Sequence, residues 1–160
     1  MGLIELASGS SLWRGYDYYE AKRVKDVTRL SKHEIEGKVS GSNRKSYATI
    51  INTEHPRTSK CSCPHTNGRR VICKHMVALY FTAYPEEAKK LLDAAKAYEI
   101  EEEKRQEERE NAVVKYISRM KKEDLQQTLL ALLFDGPEWQ YDRFVREHIG
   151  QISAQYRTKS

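Results

Sequence analysis

The residues able to do chemistry crowd into one stretch, "CSCPHTNGRRVICKH" (61–75), which holds all three cysteines of the 160-residue chain and ends on a histidine. Thiolate sulfur and neutral imidazole nitrogen are the preferred ligands of Zn²⁺, and a structural zinc site takes four of them in a tetrahedron. Cys61, Cys63, Cys73 and His75 supply four. Two precede a nine-residue loop and two follow it, so one ion would tie the end of one element to the start of the next. A closed, thiolate-rich set leaves no open position for water and weakens Lewis acidity. The ion expected here is therefore a single structural Zn²⁺, with no catalytic residue and no enzyme implied. A disulfide framework is a poor account of three cysteines, and a redox pair is poorer, because C-x-C is tighter than C-x-x-C and no βαβ pattern surrounds it. His65 competes for the fourth position but would have to displace His75 or make a fifth bond, so it is expected in the loop. His33, His55 and His148 read as solvent or packing histidines.

Positioning these ligands requires a scaffold on each side. "SGSSLWRGYDYYEA" (8–21) begins with small polar capping residues and sets Leu12, Tyr16 and Tyr19 at helical spacing, which predicts a short amphipathic helix with Gly15 as its weak point. Core packing is expected for Trp13, Tyr16 and Tyr19, leaving Tyr18 freest to stack on a base. Three β-leaning segments follow: 23–30, 33–41 and 45–54. Ile35, Gly37 and Val39 alternate with Glu34, Glu36 and Lys38, the pattern of a strand with one wet face, and "SGSNRK" joins the second and third as a hairpin. Behind the cysteines, "CKHMVALYFTAY" predicts an apolar helix opening at or just before His75, and Pro85 suits the first turn of the next. Residues 86–118 are helical in pattern, but 101–110 holds only charged residues and Gln106, so this part is expected as an exposed helix or linker and the likeliest domain boundary. Farther on, Leu125, Leu129, Leu132 and Leu133 share a face, "DG" with Pro137 ends that helix, and Trp139, Phe144 and Val145 mark another. An α-hairpin with its apolar stripes in a core is the expectation.

Composition narrows the function classes. A third of the chain is charged, and no apolar run approaches the roughly 18 residues of a membrane span. The opening "MGLIELASGSSLW" lacks the basic region and the long apolar block of a signal peptide. The chain is expected to be cytoplasmic, or nuclear in a eukaryote, with no membrane and no small-molecule substrate among its partners. The net charge of +5 is unevenly spread: residues 1–80 carry 14 Lys and Arg against 7 Asp and Glu, whereas residues 81–160 carry 14 against 16. The basic half is the half with the cysteines, and a one-sided positive field favours encounter with polyanions.

The sequence also resembles a known family, the SWIM zinc finger, whose pattern is C-x-C, a variable loop, then C-x-H. "RGYDYYEAKRV", "GKVSGS", "SYATI", "CSCP" and "CKHMVAL" occur in the order found in SWIM-containing proteins, and the likeness covers residues 11–83. It implies an α+β fold: an N-terminal helix, a small antiparallel sheet and a helix pinned to it by zinc, followed by an all-α extension. Taken with the charge and periodicity of the rest of the chain, this gives residues 1–84 as the finger, 85–118 as a long charged helix or linker, and 119–160 as a helical hairpin tail. Carried over by position, it assigns Cys61, Cys63, Cys73 and His75 as ligands. The tail is loosely similar to those of free-standing bacterial SWIM proteins, and no helicase, transposase or kinase motif accompanies it.

Two functions are consistent with these features. The first is weak nucleic-acid binding of low sequence specificity through Arg69 and Arg70 at the tip of the loop, with Arg44, Lys45, Arg57, Lys60 and Lys74 nearby in sequence. Arginines on a loop closed by metal lose less freedom on meeting phosphate than those on a floppy one. The second is a protein adaptor, in which zinc is purely structural and the helical tail docks the partner. SWIM relatives are associated with both.

Overall fold

A computed structural model of the chain describes residues 2–41 and 45–149. Its elements run α1 (Gly9–Glu20), β1 (Val24–Arg29), β2 (Glu34–Ser40), β3 (Ser46–Asn52), β4 (Lys60–Cys61), α2 (Lys74–Ala83), α3 (Pro85–Ile117), α4 (Lys122–Phe134) and α5 (Glu138–Phe144), then a π-helical turn at Val145–Ile149. The fold is α+β. The strands form one antiparallel sheet in the order β1-β2-β3-β4. Contacts divide the chain into two units, Met1–Glu99 and Ile100–Ser160.

In the first unit, α2 is the centre of the core. His75, Met76, Val77, Ala78, Leu79 and Phe81 are all buried, because this helix is apolar nearly all round and is covered by α1 on one side and by β2 and β3 on the other. The sheet offers it Ile35, Val39, Thr49 and Ile51, the inward residues of the expected period-two pattern. The outer strand β1 carries a bulge between Lys25 and Thr28 with Asp26 at φ 53°, which twists an exposed edge away from further pairing. An N-terminal turn that the hydrophobic pattern did not signal also joins the core. Leu3 is buried, and Ala7 bridges Ile72 at the end of the cysteine loop.

Two expectations about α1 are reversed. Gly15 is not a flaw in the helix but the point where α1 and α2 touch: a Cβ there would lie 2.5 Å from Cβ and Cγ1 of Val77 and 3.0 Å from the carbonyl oxygen of Lys74. Tyr18 is the buried tyrosine and Trp13 is the exposed ring, at 8% and 42% respectively. The cause is α2, which covers the Gly15 and Tyr18 face of α1 and leaves Trp13 at the margin of the contact. Tyr16 and Tyr19 are half-buried against Phe81, as expected for packing residues.

Within the second unit, α4 stops at Asp135-Gly136-Pro137 and α5 follows, as the turn residues indicated. The apolar stripes are not in a core. None of the described residues from 100 to 149 is buried, and Leu125, Leu129, Leu132 and Trp139 all lie exposed, because among the described residues of this unit α4 and α5 pack mainly on each other and on the π-helical turn. No helix among the described residues is long and apolar enough to cross a membrane.

Gly15→Ala tests the α1–α2 contact. The added methyl has nowhere to go without parting the helices, so a loss of about 1–3 kcal/mol is expected, read as a lowered urea midpoint of the zinc-loaded protein. A neutral or stabilising outcome, as helix propensity alone would give, contradicts the close packing.

Candidate metal centre

Three elements deliver the four ligands. Cys61 ends β4, where the register sets it directly opposite Thr49 of β3. Thr49 is fully buried, and its Oγ1 lies 3.3 Å from the Cys61 sulfur. The chain then turns through a 3₁₀ helix at Pro64–Thr66, which carries Cys63 at its N-cap. Thr66 closes this knuckle. Its Oγ1 sits 2.6 Å from the Cys61 carbonyl oxygen, 2.9 Å from that of Cys63 and 3.6 Å from the Cys63 sulfur. Gly68, at φ 68°, turns the loop back, and Cys73 arrives as the N-cap of α2 with His75 in its first turn. Neither Thr49 nor Thr66 was singled out in the sequence. Both are ordinary threonines there, and only the strand register and the 3₁₀ turn reveal them.

The donor atoms of Cys61, Cys63, Cys73 and His75 all lie within 4.8 Å of one another. All three cysteines are free. His75 presents Nδ1, which is 3.7 Å from the Cys61 sulfur and 3.9 Å from that of Cys73. A tetrahedral ion with zinc–sulfur and zinc–nitrogen bonds of roughly 2.3 and 2.0–2.1 Å requires a sulfur–nitrogen separation of about 3.5–3.6 Å. The residues fit zinc in kind, number and spacing. Two tyrosine rings hold the imidazole in place, Tyr47 tilted against it at 4.7 Å between centroids and Tyr18 edge-on at 5.5 Å. Tyr18 is held in turn by Lys74, whose Nζ donates to its hydroxyl at 2.8 Å, and by the Arg23 guanidinium over its ring. The position expected to be freest for base stacking is thus part of the ligand's support.

The electrostatics call for a cation. Cys61 is drawn down to about 4, chiefly because the Cys73 thiol donates to its sulfur, with His75 and Thr49 adding further hydrogen bonds. Cys73 is pushed well up by keeping that proton for Cys61, and burial pushes it further. Without a metal the cluster holds one thiolate easily and resists a second beside it. A dication removes that resistance, and the N-terminus of α2, at Cys73, favours the negative sulfur.

His65 is exposed and stands outside the tetrad, as expected. Among the other histidines, His33 is half-buried with Nε2 3.8 Å from the Glu54 carboxylate, His55 is exposed, and His148 is exposed beside Phe144.

The structure divides the basic candidates. Arg57, Lys60, Arg69 and Arg70 line one open groove of about 740 Å³, together with Thr58, Thr66 and Asn67. No acidic side chain lines it, and none of the four cations has an ion-pair partner among the described residues. Cys61 forms part of its wall. Lys74 faces a different cavity, and Lys45 is exposed just before β3 without lining the groove. Arg44 lies outside the described residues.

Residues 45–84 match the family model of the SWIM zinc finger. No curated protein and no solved structure matches the chain. The match contains all four ligands, and with the geometry above it identifies the tetrad as the site of one structural zinc ion.

Two expectations follow for the metal. Elemental analysis of protein prepared without chelator should give about one zinc per chain; Cys63→Ser should lose it along with the ordered loop, whereas His65→Ala should keep it. Metal retention by His75→Ala with loss from His65→Ala would reassign the fourth ligand. Zinc affinity should also rise with pH. Cys73 holds its proton at neutral pH in the metal-free cluster, zinc must displace it, and each displaced proton makes affinity about tenfold stronger per pH unit. Competition with a chromophoric chelator at pH 6.5 and 7.5 measures the slope, and a flat response contradicts the assignment.

Proposed function

We propose that this chain, which carries a SWIM zinc finger, is a non-enzymatic nucleic-acid-binding module in which zinc braces a basic groove. The observation that carries the reading is the convergence of Arg57, Lys60, Arg69 and Arg70 on one groove with no acidic residue in its wall. The metal site gives this groove its shape, because Cys61 belongs to its wall and Arg69 and Arg70 sit on the loop between the two pairs of ligands. Arginine forks match phosphate oxygens, while the neutral lining residues offer hydroxyl and amide groups suited to backbone contacts. No helix in the groove orders side chains to read base edges, so binding should be weak, micromolar in range, and nearly independent of sequence.

The test is a salt titration. Arg69→Ala with Arg70→Ala, zinc retained, should flatten the slope of log affinity against log salt by about 1.4–1.8 units, the counterion release of two phosphates. An unchanged slope removes these arginines from the contact. Absence of binding to single- or double-stranded DNA or RNA at low salt removes the reading itself.

A second reading has its own observation. Leu125, Leu129, Leu132 and Trp139 are exposed among the described residues, which supports an adaptor role for the tail within a larger assembly. Copurification that survives nuclease and high salt, and is lost on Leu129→Glu, supports it.

A further inference from the structure

We propose that the cavity on the other side of the metal site is a pocket for a phosphomonoester, the terminal phosphate of a nucleotide. Cys63, Cys73 and His75 form its inner wall, whereas Cys61 lines the basic groove, so the tetrad is a partition between two separate concavities. The cavity measures about 450 Å³. That lies within the range of about 300–1,000 Å³ typical of small-molecule sites.

Its donors come from several directions. Ser10 and Ser11 bring hydroxyls from the first turn of α1, Arg14 reaches in from the next turn, and Lys74 and His65 stand on the α2 and knuckle sides. Among the described residues, no acidic side chain lines the cavity. The Arg14 guanidinium has no hydrogen-bond or ion-pair partner among the described residues. Lys74 is bonded to the neutral hydroxyl of Tyr18, which steers its ammonium without cancelling its charge.

The charge balance decides which ligand suits. Zn²⁺ with three thiolates and a neutral imidazole sums to −1. Arg14 and Lys74 therefore more than offset the centre and leave the cavity positive. The N-terminus of α1, a 12-residue helix, adds about half a charge of the same sign. A phosphate dianion answers this excess charge, and its tetrahedral oxygens can meet the Ser10 and Ser11 hydroxyls, the Arg14 guanidinium and the Lys74 ammonium together. The half-buried Tyr47 ring in the same wall offers an apolar surface to the rest of the ligand.

The pocket has its own test, because none of the four groove cations lines it. Zinc-loaded full-length protein is titrated by ¹H–¹⁵N NMR with adenosine 5′-monophosphate, adenosine, and an oligonucleotide with and without a 5′-phosphate. Saturable shifts of the Ser10, Ser11 and Arg14 amides with the monophosphate and none with adenosine are expected. Arg14→Ala, an exposed helix position, should keep zinc and fold yet weaken binding about tenfold or more. The combined Arg57, Arg69 and Arg70→Ala variant should bind the monophosphate as the wild type does, which separates this site from the groove. A 5′-phosphate that tightens oligonucleotide binding through Arg14 identifies a strand end as the source; no such gain identifies the free mononucleotide. Shifts that fail to saturate, that adenosine reproduces, or that Arg14→Ala leaves unchanged overturn the proposal.

Discussion

Three sulfurs and an imidazole nitrogen held within 4.8 Å of one another are an arrangement that a protein interior opposes until a dication sits among them. The chain goes to some length to impose it. A two-residue strand exists to set Cys61 beside Thr49, a threonine side chain ties the knuckle at Cys63, and a helix begins at Cys73 with its positive end toward the sulfurs. The most buried of the described helices starts at the cluster, so the core and the metal site share one wall. The electrostatic demand for zinc and the packing of the core are two views of the same junction.

This junction explains the crowding of aromatic rings around His75. An imidazole that must present Nδ1 to the metal has to be fixed in tilt and in rotation, and an aliphatic pocket fixes neither well. Tyr47 controls tilt from the sheet, and Tyr18 controls the edge from α1. The close approach of α1 and α2 at Gly15, one turn earlier, brings Tyr18 within reach. Replacing a small residue in α1 therefore acts on the metal through the distance between two helices.

The sequence was most legible where local pattern and chemistry agree. The ligand tetrad, the period-two burial of β2, the start of α2 and the Pro85 opening of α3 all follow from spacing and from residue types with one physical use. What escaped depended on partners far along the chain. Strand β4 is too short to carry a pattern and is defined by its pairing with β3. Leu3 joins the core from a segment with no periodicity. Tyr18 and Trp13 exchanged places because helical spacing gives a face but not what covers it, and α2 covers the Gly15 face. In the second unit the leucine stripes were legible as helices, but a stripe does not say whether a second apolar layer exists to receive it. Among the basic residues, nearness in sequence grouped seven; the fold gathers four on one groove and turns Lys74 toward another cavity.

The loop between Cys63 and Cys73 has a consequence of another kind. Its base is fixed three times, by the ligands on either side, by the Thr66 knuckle, and by the bridge from Ala7 to Ile72. Between these anchors, residues 67–71 are exposed, and their last backbone tie to the knuckle runs from the Arg69 N–H to the Thr66 carbonyl. Lengthening a flexible loop costs only about 0.6 kcal/mol per doubling. Evolution can therefore insert or delete residues here, and so alter how far the arginines reach, while the ion, the sheet and the helix behind it stay as they are. The zinc site works as a hem, below which the fabric can be recut.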